Sequence, residues 1–339
     1  APVVYHRGAF LPEPDARVPL QDRGLLFADG VYEVVRFDHG RPFAMGDHVR
    51  RFRQSLAAID LPADLADPFP DLSHELLRRN RLTDAKIYWQ VTRGPAARDF
   101  RAPDDPSPSL TLLAYPTEPL NPDPPPLAHG PALVVDDCRW TQCRVKSLML
   151  LPASLAKTRA RRAGAVEAVF ARAKPAPPPD LDPDSPPTPD ASSPTPPDAP
   201  PPSAPPGRHI TEGASTNIFI IQHGRLRTHP DDGWVLPGIT RQTLLDLAHG
   251  LGLPTDDRTP FTPHDLLHAD EAFACSTTQL TALTSVMFEP IPPAISRYPA
   301  PPARETPLTT HPIADARRPG PLTHKLHTAY HQALLAGPA

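Results

Sequence analysis

Asp22-Arg23-Gly24-Leu25-Leu26-Phe27-Ala28-Asp29-Gly30-Val31-Tyr32-Glu33-Val34-Val35 is the first of seven short motifs whose order along the chain decides the fold. The others are Asp47-His48-Val49-Arg50-Arg51-Phe52, Val91-Thr92-Arg93-Gly94, Val145-Lys146-Ser147-Leu148, Thr211-Glu212-Gly213-Ala214-Ser215-Thr216-Asn217, Gly238-Ile239-Thr240-Arg241 and Ser276-Thr277-Thr278. Each is weak alone, and only the ordered set is specific. Between them the residues read as mixed helix and strand. Asp47 can cap a helix whose apolar residues Val49, Phe52, Leu56 and Ile59 recur at spacings of 3, 4 and 3, one helical face. A second short helix is expected over residues 71–79. Residues 86–92 (KIYWQVT) are rich in strand formers and end at Gly94-Pro95, and residues 109–114 read the same way. Further on, strands are expected at 132–135, 166–171, 217–221, 225–228 and 272–275, with a hairpin turn at His223-Gly224. Helices are expected at 153–163, 239–247 and 323–335.

Proline sets the organisation. The chain of 339 residues holds 52 prolines, and 16 of them fall in residues 175–206. That tract of Pro, Asp, Ser, Thr and Ala has too little apolar surface to offset chain ordering, so a disordered, partly polyproline-II insertion is expected. It lies between two strands of one unit, where long surface loops are tolerated. A second proline-rich stretch, residues 116–130, can continue neither sheet nor helix. It is read as a linker between an N-terminal α/β domain, residues 1–115, and a larger C-terminal domain, residues 131–339. Only 17 glycines are present, which excludes collagen. No apolar run approaches the roughly 20 residues needed to span a bilayer, and the start shows no signal-peptide pattern. A net charge of −4 with both signs mixed gives no case for nucleic acid or membrane binding. Cys138, Cys143 and Cys275 form neither a disulfide framework nor a metal-binding set. A cytoplasmic protein without a metal is expected.

Only five of the 34 basic residues are lysines: Lys86, Lys146, Lys157, Lys174 and Lys325. Lys146 stands apart because Cys143, Val145, Leu148, Met149 and Leu150 surround it. Desolvation penalises an ammonium, and a lysine held among apolar groups supplies the neutral amine a Schiff base requires. The plainer reading of the same residues is a lysine snorkelling from a strand edge. Gly238-Ile239-Thr240 leads straight into a helix, whose first N–H groups suit an anion, although a simple glycine helix start looks identical.

Taken together, the seven motifs strongly resemble the class IV, fold-type IV pyridoxal-phosphate (PLP) aminotransferases. Order and spacing match from about residue 5 to residue 332, apart from the proline tract, and Arg318-Pro319-Gly320-Pro321-Leu322-Thr323 resembles the closing segment. Val31-Tyr32-Glu33-Val34, Arg139-Trp140 and Gln90 to Gly94 followed by Arg98 look most like the D-amino-acid aminotransferase branch. The signatures of branched-chain aminotransferases and of aminodeoxychorismate lyases are not seen. The resemblance implies a homodimeric enzyme moving an amino group between a D-amino acid, such as D-alanine, and a 2-oxo acid, such as 2-oxoglutarate. The rivals are a lyase making 4-aminobenzoate from aminodeoxychorismate, a branched-chain L-amino-acid aminotransferase, and a non-catalytic protein that recruits partners through its proline tract.

The resemblance also implies roles. Lys146 is the lysine that binds PLP covalently and shuttles the proton. Glu212 faces the pyridine nitrogen and keeps it protonated. Arg51, with its fork of donors, the backbone N–H groups of Ile239 and Thr240, and the Thr277 hydroxyl bind the phosphate. Arg139 lies near the cofactor, and Tyr32 and Arg98 hold the substrate carboxylate. Two departures stand out. Phe100 takes the place of the usual histidine beside Arg98, with Arg101 as its candidate replacement, and Leu280 stands where a glutamate is usual.

Overall fold

The computed structural model describes residues 1–173, 207–289, 308–313 and 319–337. The first unit opens with a hairpin of β1 (Val3–His6) and β2 (Ala9–Pro12). Asp22 then caps α1 (Arg23–Phe27), its carboxylate accepting from the Gly24 N–H at 2.8 Å. There follow β3 (Gly30–Asp38), β4 (Arg41–Pro42), α2 (Met45–Ala57), α3 (Phe69–Asn80), β5 (Ala85–Thr92) and β6 (Ser109–Pro116). They form a six-stranded sheet in the order β2-β1-β6-β5-β3-β4. Strict alternation in β5 sends Ala85, Ile87, Trp89 and Val91 to one buried face, where Phe52, Leu56, Phe69 and Leu76 of the two helices cover them. Trp89 Nε1 finds its acceptor inside this core, donating to Ser73 Oγ at 2.8 Å.

Asp47 does not cap α2. The N-cap is Ala44, in the left-handed conformation with no side-chain cap, because the chain swings sharply from β4 into the helix. Asp47 sits in the first turn, where its charge still opposes the helix dipole. Ile59 lies beyond the last turn of α2 yet packs on the same core.

The second unit contains β7 (Ala128–Asp136), α4 (Leu151–Arg162), β8 (Glu167–Ala173), β9 (Arg208–Gly213), β10 (Asn217–Gln222) and β11 (Arg225–Thr228). It continues with α5 (Ile239–Gly250), β12 (Thr255–Asp256), α6 (Pro263–Leu267), β13 (Glu271–Cys275), β14 (Leu280–Phe288), β15 (Thr310–Pro312) and α7 (Pro321–Ala336). The sheet order is β12-β11-β10-β13-β14-β7-β8-β9, with β15 paired to β14. β10 and β11 form the expected hairpin, turning at His223 and Gly224, both of positive φ. β7 runs parallel to β8 through the α4 crossover and parallel to β14 on its other side. Pro116 pairs with Ala85, and Ala128 pairs with Thr281, so the connection between the two sheets spans residues 117–127. β8 and β9 are antiparallel neighbours whose register sets Ala173 against Arg208. The proline tract expected between them lies outside the described residues, as does Arg318 of the closing motif.

Between β7 and α4 the chain crosses to the first sheet. Tyr32 N donates to Lys146 O at 2.9 Å and Leu148 N to Gly30 O at 3.0 Å, so the segment bearing Lys146 is stitched to the start of β3. That crossing places the lysine in a cleft between the two sheets.

Candidate functional site

The cleft has a cavity volume of roughly 160 Å³ and is open to solvent. Among its walls are Tyr32, Arg51, Arg139, Lys146, Glu212, Ile239, Thr240 and Thr277, eight of the ten residues that the family resemblance singled out. Lys146 is half-buried in its wall. The Ser55 hydroxyl accepts from its backbone N–H at 3.1 Å, and its Nζ lies 4.4 Å from the centroid of the Tyr32 ring. Among the described residues no carboxylate pairs with it. Its apolar surroundings are one-sided: Val145 is buried, whereas Met149 and Leu150 face solvent. Tyr32 is itself held by stacking on Tyr88, ring centroids 5.6 Å apart.

Glu212 projects into the cleft from the last residues of β9. Its Oε2 accepts from Leu236 N at 3.0 Å and from Asn217 Nδ2 at 3.2 Å, and its Oε1 pairs with Arg139 Nη1. Arg139 is shared, because Asp137 grips it through Nε and Nη2, both at 2.9 Å. Asp137 also holds Arg172, at 3.1 Å. The consequence is an unequal division of charge. Burial pushes the Asp137 carboxyl up, but two guanidinium groups overcome it and hold Asp137 low. Glu212 shares one of the two, and there burial prevails over Arg139 and the Leu236 N–H, so its carboxyl is raised. A cation facing Glu212 would restore the balance.

The cleft also gathers donors. Ile239 and Thr240 occupy the first turn of α5, where backbone N–H groups have no intrahelical acceptor. The Thr240 hydroxyl meets the Tyr330 hydroxyl at 3.0 Å, and Tyr330 donates to the Thr277 carbonyl at 3.1 Å, which ties α7 to this rim. Gly238 must lack a side chain: a Cβ there would collide with Asn217 Oδ1 and with the Arg241 side chain. Arg51 reaches across from α2, donating Nη1 to Pro237 O at 3.0 Å. Its Nε and Nη2 are taken by Glu33, at 2.7 and 2.9 Å, and Glu33 Oε2 lies 2.8 Å from His48 Nδ1. Glu33 and His48 have no place in the roles inferred from sequence. Glu33 does sit inside the first motif, and His48 and Arg51 fall three apart on one helix face.

Arg98 and Arg101 are not brought to the cleft of their own chain. They lie on an exposed loop after β5, with Phe100 beside them 83% exposed. Arg101 pairs with Asp99, Nη2 to Oδ2 2.7 Å, at the surface. Leu280 opens β14 inside the apolar cluster of Cys275, Tyr330 and Leu326. A glutamate there would place an unpaired charge in the core, which accounts for the leucine.

This arrangement belongs to one class. A sequence model of the family described as amino-transferase class IV matches residues 30–174 and 206–286, and the chain is a member of that family, an aminotransferase of fold type IV. The D-alanine aminotransferase of Listeria monocytogenes is 34% identical over 275 residues, covering 80% of this chain and 83% of its own. That of Bacillus licheniformis is 29% identical over 336 residues, 98% of this chain and 97% of its own. Among solved structures, the branched-chain amino acid aminotransferase of Thermoproteus uzoniensis superposes with a TM-score of 0.72 at 21% identity, covering 98% of this chain and 95% of that one. The Escherichia coli enzyme gives 0.70 at 22% identity, covering 96% and 92%.

Proposed function

We propose that this chain transfers an amino group between a D-amino acid of the D-alanine kind and a 2-oxo acid such as 2-oxoglutarate, with PLP as cofactor. The observation that carries the reading is that one cleft brings together a buried acid, an amine with no carboxylate partner among the described residues, and a cluster of donors. The donor cluster suits a phosphate, through Arg51, the N–H groups of Ile239 and Thr240 and the Thr277 hydroxyl. Glu212, raised by burial, suits a cationic N–H. When bound, PLP supplies an aldehyde that takes the amino group and a ring that accepts electrons from the substrate carbon.

The residues of the chain do the remainder. Glu212 holds a proton on the ring nitrogen, and Arg139, with much of its charge absorbed by Asp137, keeps that carboxylate in place. The Lys146 amine carries a proton to and from the substrate carbon. Tyr32 borders the amine and orients the substrate carboxylate. Arg98 serves the same carboxylate from a second copy of the chain, since its loop lies outside its own cleft. The exposed Leu20, Leu25 and Phe100 support a homodimer, because a partner would remove these large apolar side chains from water. Residues 117–127 then link the two domains, a shorter connection than the 116–130 expected from sequence, because Pro116 ends β6 and residues 128–130 already belong to β7. The three free cysteines support a cytoplasmic setting.

Relatives named D-alanine aminotransferase favour the D-series; a branched-chain L-amino-acid aminotransferase is the second reading, and the solved structures that carry the branched-chain name share the fold at 21–22% identity. Purified protein loaded with PLP and given 2-oxoglutarate should form glutamate from D-alanine and not from L-alanine, L-leucine or L-valine. Lys146→Ala should abolish that turnover. Glutamate formed from L-leucine and not from D-alanine would sink the proposal.

A further inference from the structure

Arg23 is 4% exposed although it stands on α1 at the molecular surface. Its guanidinium is spent on main-chain oxygens of the Arg98 loop. Nη1 donates to Asp99 O at 2.7 Å and to Arg101 O at 3.3 Å, and Nη2 points at Phe100 O at 3.5 Å. Nε donates to Asp29 Oδ2 at 2.7 Å, and that same oxygen accepts from Arg93 Nε at 2.9 Å. Arg93 in turn donates to Ile59 O at 2.5 Å and Asp60 O at 3.3 Å, at the end of α2. Three consecutive carbonyls of an exposed loop are therefore fastened, through two arginines and one shared carboxylate, to the core of the first sheet.

The same arginine organises the side chains above the loop. Arg23 Cζ lies 4.6 Å from the centroid of the Phe27 ring, and Phe27 and Phe100 stand 5.6 Å apart. Arg98 Cζ lies 5.5 Å from Phe27 and 5.7 Å from Phe100. Among the described residues Arg98 has no ion pair and no hydrogen bond, so two aromatic rings alone orient it. Rings orient a guanidinium without using its N–H donors, which leaves the whole fork for a ligand. This answers the substitution at Phe100: the ring replaces a hydrogen-bonding neighbour by one that steers without competing.

We infer that Arg23, with Phe27, is a positioning residue of the substrate site, holding the loop 98–101 so that Arg98 presents an unoccupied guanidinium to a carboxylate. The inference rests on Arg98 meeting the substrate, as proposed above. Its first effect is on binding, not on the proton transfer at Lys146, which is on a different segment.

The test uses the PLP-loaded full-length enzyme and Arg23→Gln, Arg23→Lys, Phe27→Leu and Arg98→Ala. Arg23→Gln removes charge-assisted bonds to the loop, which predicts a rise of about tenfold in KM for D-alanine and 2-oxoglutarate with kcat within about twofold. Arg23→Lys, which keeps the charge and not the fork, should fall between the two. Amides 99–101 should exchange with deuterium faster in Arg23→Gln, a readout that does not pass through catalysis. If Arg23→Gln does not fold, Phe27→Leu carries the test, with KM raised about threefold and the Arg23 hydrogen bonds intact. Unchanged exchange at 99–101, or an equal loss in kcat with KM constant, overturns the inference. A normal KM in Arg98→Ala together with fast loop exchange in Arg23→Gln would locate the failure in the substrate role of Arg98 and refute the inference through it.

Discussion

Glu33→Gln is the perturbation whose size the structure sets most directly. The change keeps side-chain volume and removes one negative charge. Glu33 is 0% exposed, and the Arg51 guanidinium it neutralises is 8% exposed. Removing one partner of such a pair leaves a charge buried without compensation, at about 3–5 kcal/mol. With an unfolding entropy of about 2.1 cal/mol/K per residue, each kcal/mol moves the midpoint by about 1.4 °C in a chain of 339 residues, so a loss of roughly 4–7 °C is expected. Thermal unfolding followed by circular dichroism at pH 7 reads it. The double variant Glu33→Gln/Arg51→Met should lose less than the sum of the single changes, because no orphan charge remains. The pH profile adds a second check. Burial pushes the Glu33 carboxyl up, but the charge and hydrogen bonds of Arg51 outweigh it, and the group lies well below its ordinary value of 4.5. A carboxyl lowered on folding stabilises above its unfolded pKa and loses that contribution as pH falls. The gap between wild type and Glu33→Gln should thus be full at pH 7 and narrow as the pH drops below 4.5. A midpoint shift under about 2 °C, or strictly additive single changes, would refute this account of Arg51.

Other outcomes follow from the same geometry. Glu212→Gln leaves Arg139 bound to Asp137 but withdraws the buried charge proposed to face the ring nitrogen. Its kcat should fall by about a hundredfold or more, read by pyruvate formation from D-alanine, with the fold retained by circular dichroism. Gly238→Ala drives a methyl group into Asn217 and should weaken PLP binding by at least about tenfold in equilibrium dialysis, while Gly250→Ala, with open space around it, should not. Trp89→Ala empties the first sheet's core and should lower stability by about 3–5 kcal/mol in urea unfolding.

Where one face of an element is apolar and regular, the sequence is transparent. β5 alternates without interruption, and α3 and α5 carry unbroken helical spacing, so all three stand where their residues put them. β3 is opaque to that reasoning because a charge, Glu33, is buried in mid-strand with a partner from a distant helix. Pattern rules treat such a residue as an exposed one. The Asp47 cap failed for a related reason: a backbone turn at Ala44 fixes the start of α2, and side-chain preference does not report it. In the candidate site the ordered motifs point to Lys146 and Glu212. The Asp137–Arg139 pairing and the fastening of residues 99–101 by Arg23 depend on contacts between segments far apart in the chain, which spacing does not encode.

The register of β8 and β9 has a practical side. Cα atoms paired across antiparallel strands lie about 4.5–5.5 Å apart, so the chain leaves this sheet at Ala173 and returns at Arg208 almost at the point of departure. Strand rise puts that doorway about 13 Å from Glu212 along β9. A two-residue turn would close it, and so would a folded cargo whose own ends lie side by side. Length at this position is thus nearly uncoupled from the cleft, which makes it a grafting point for a reporter or binding module.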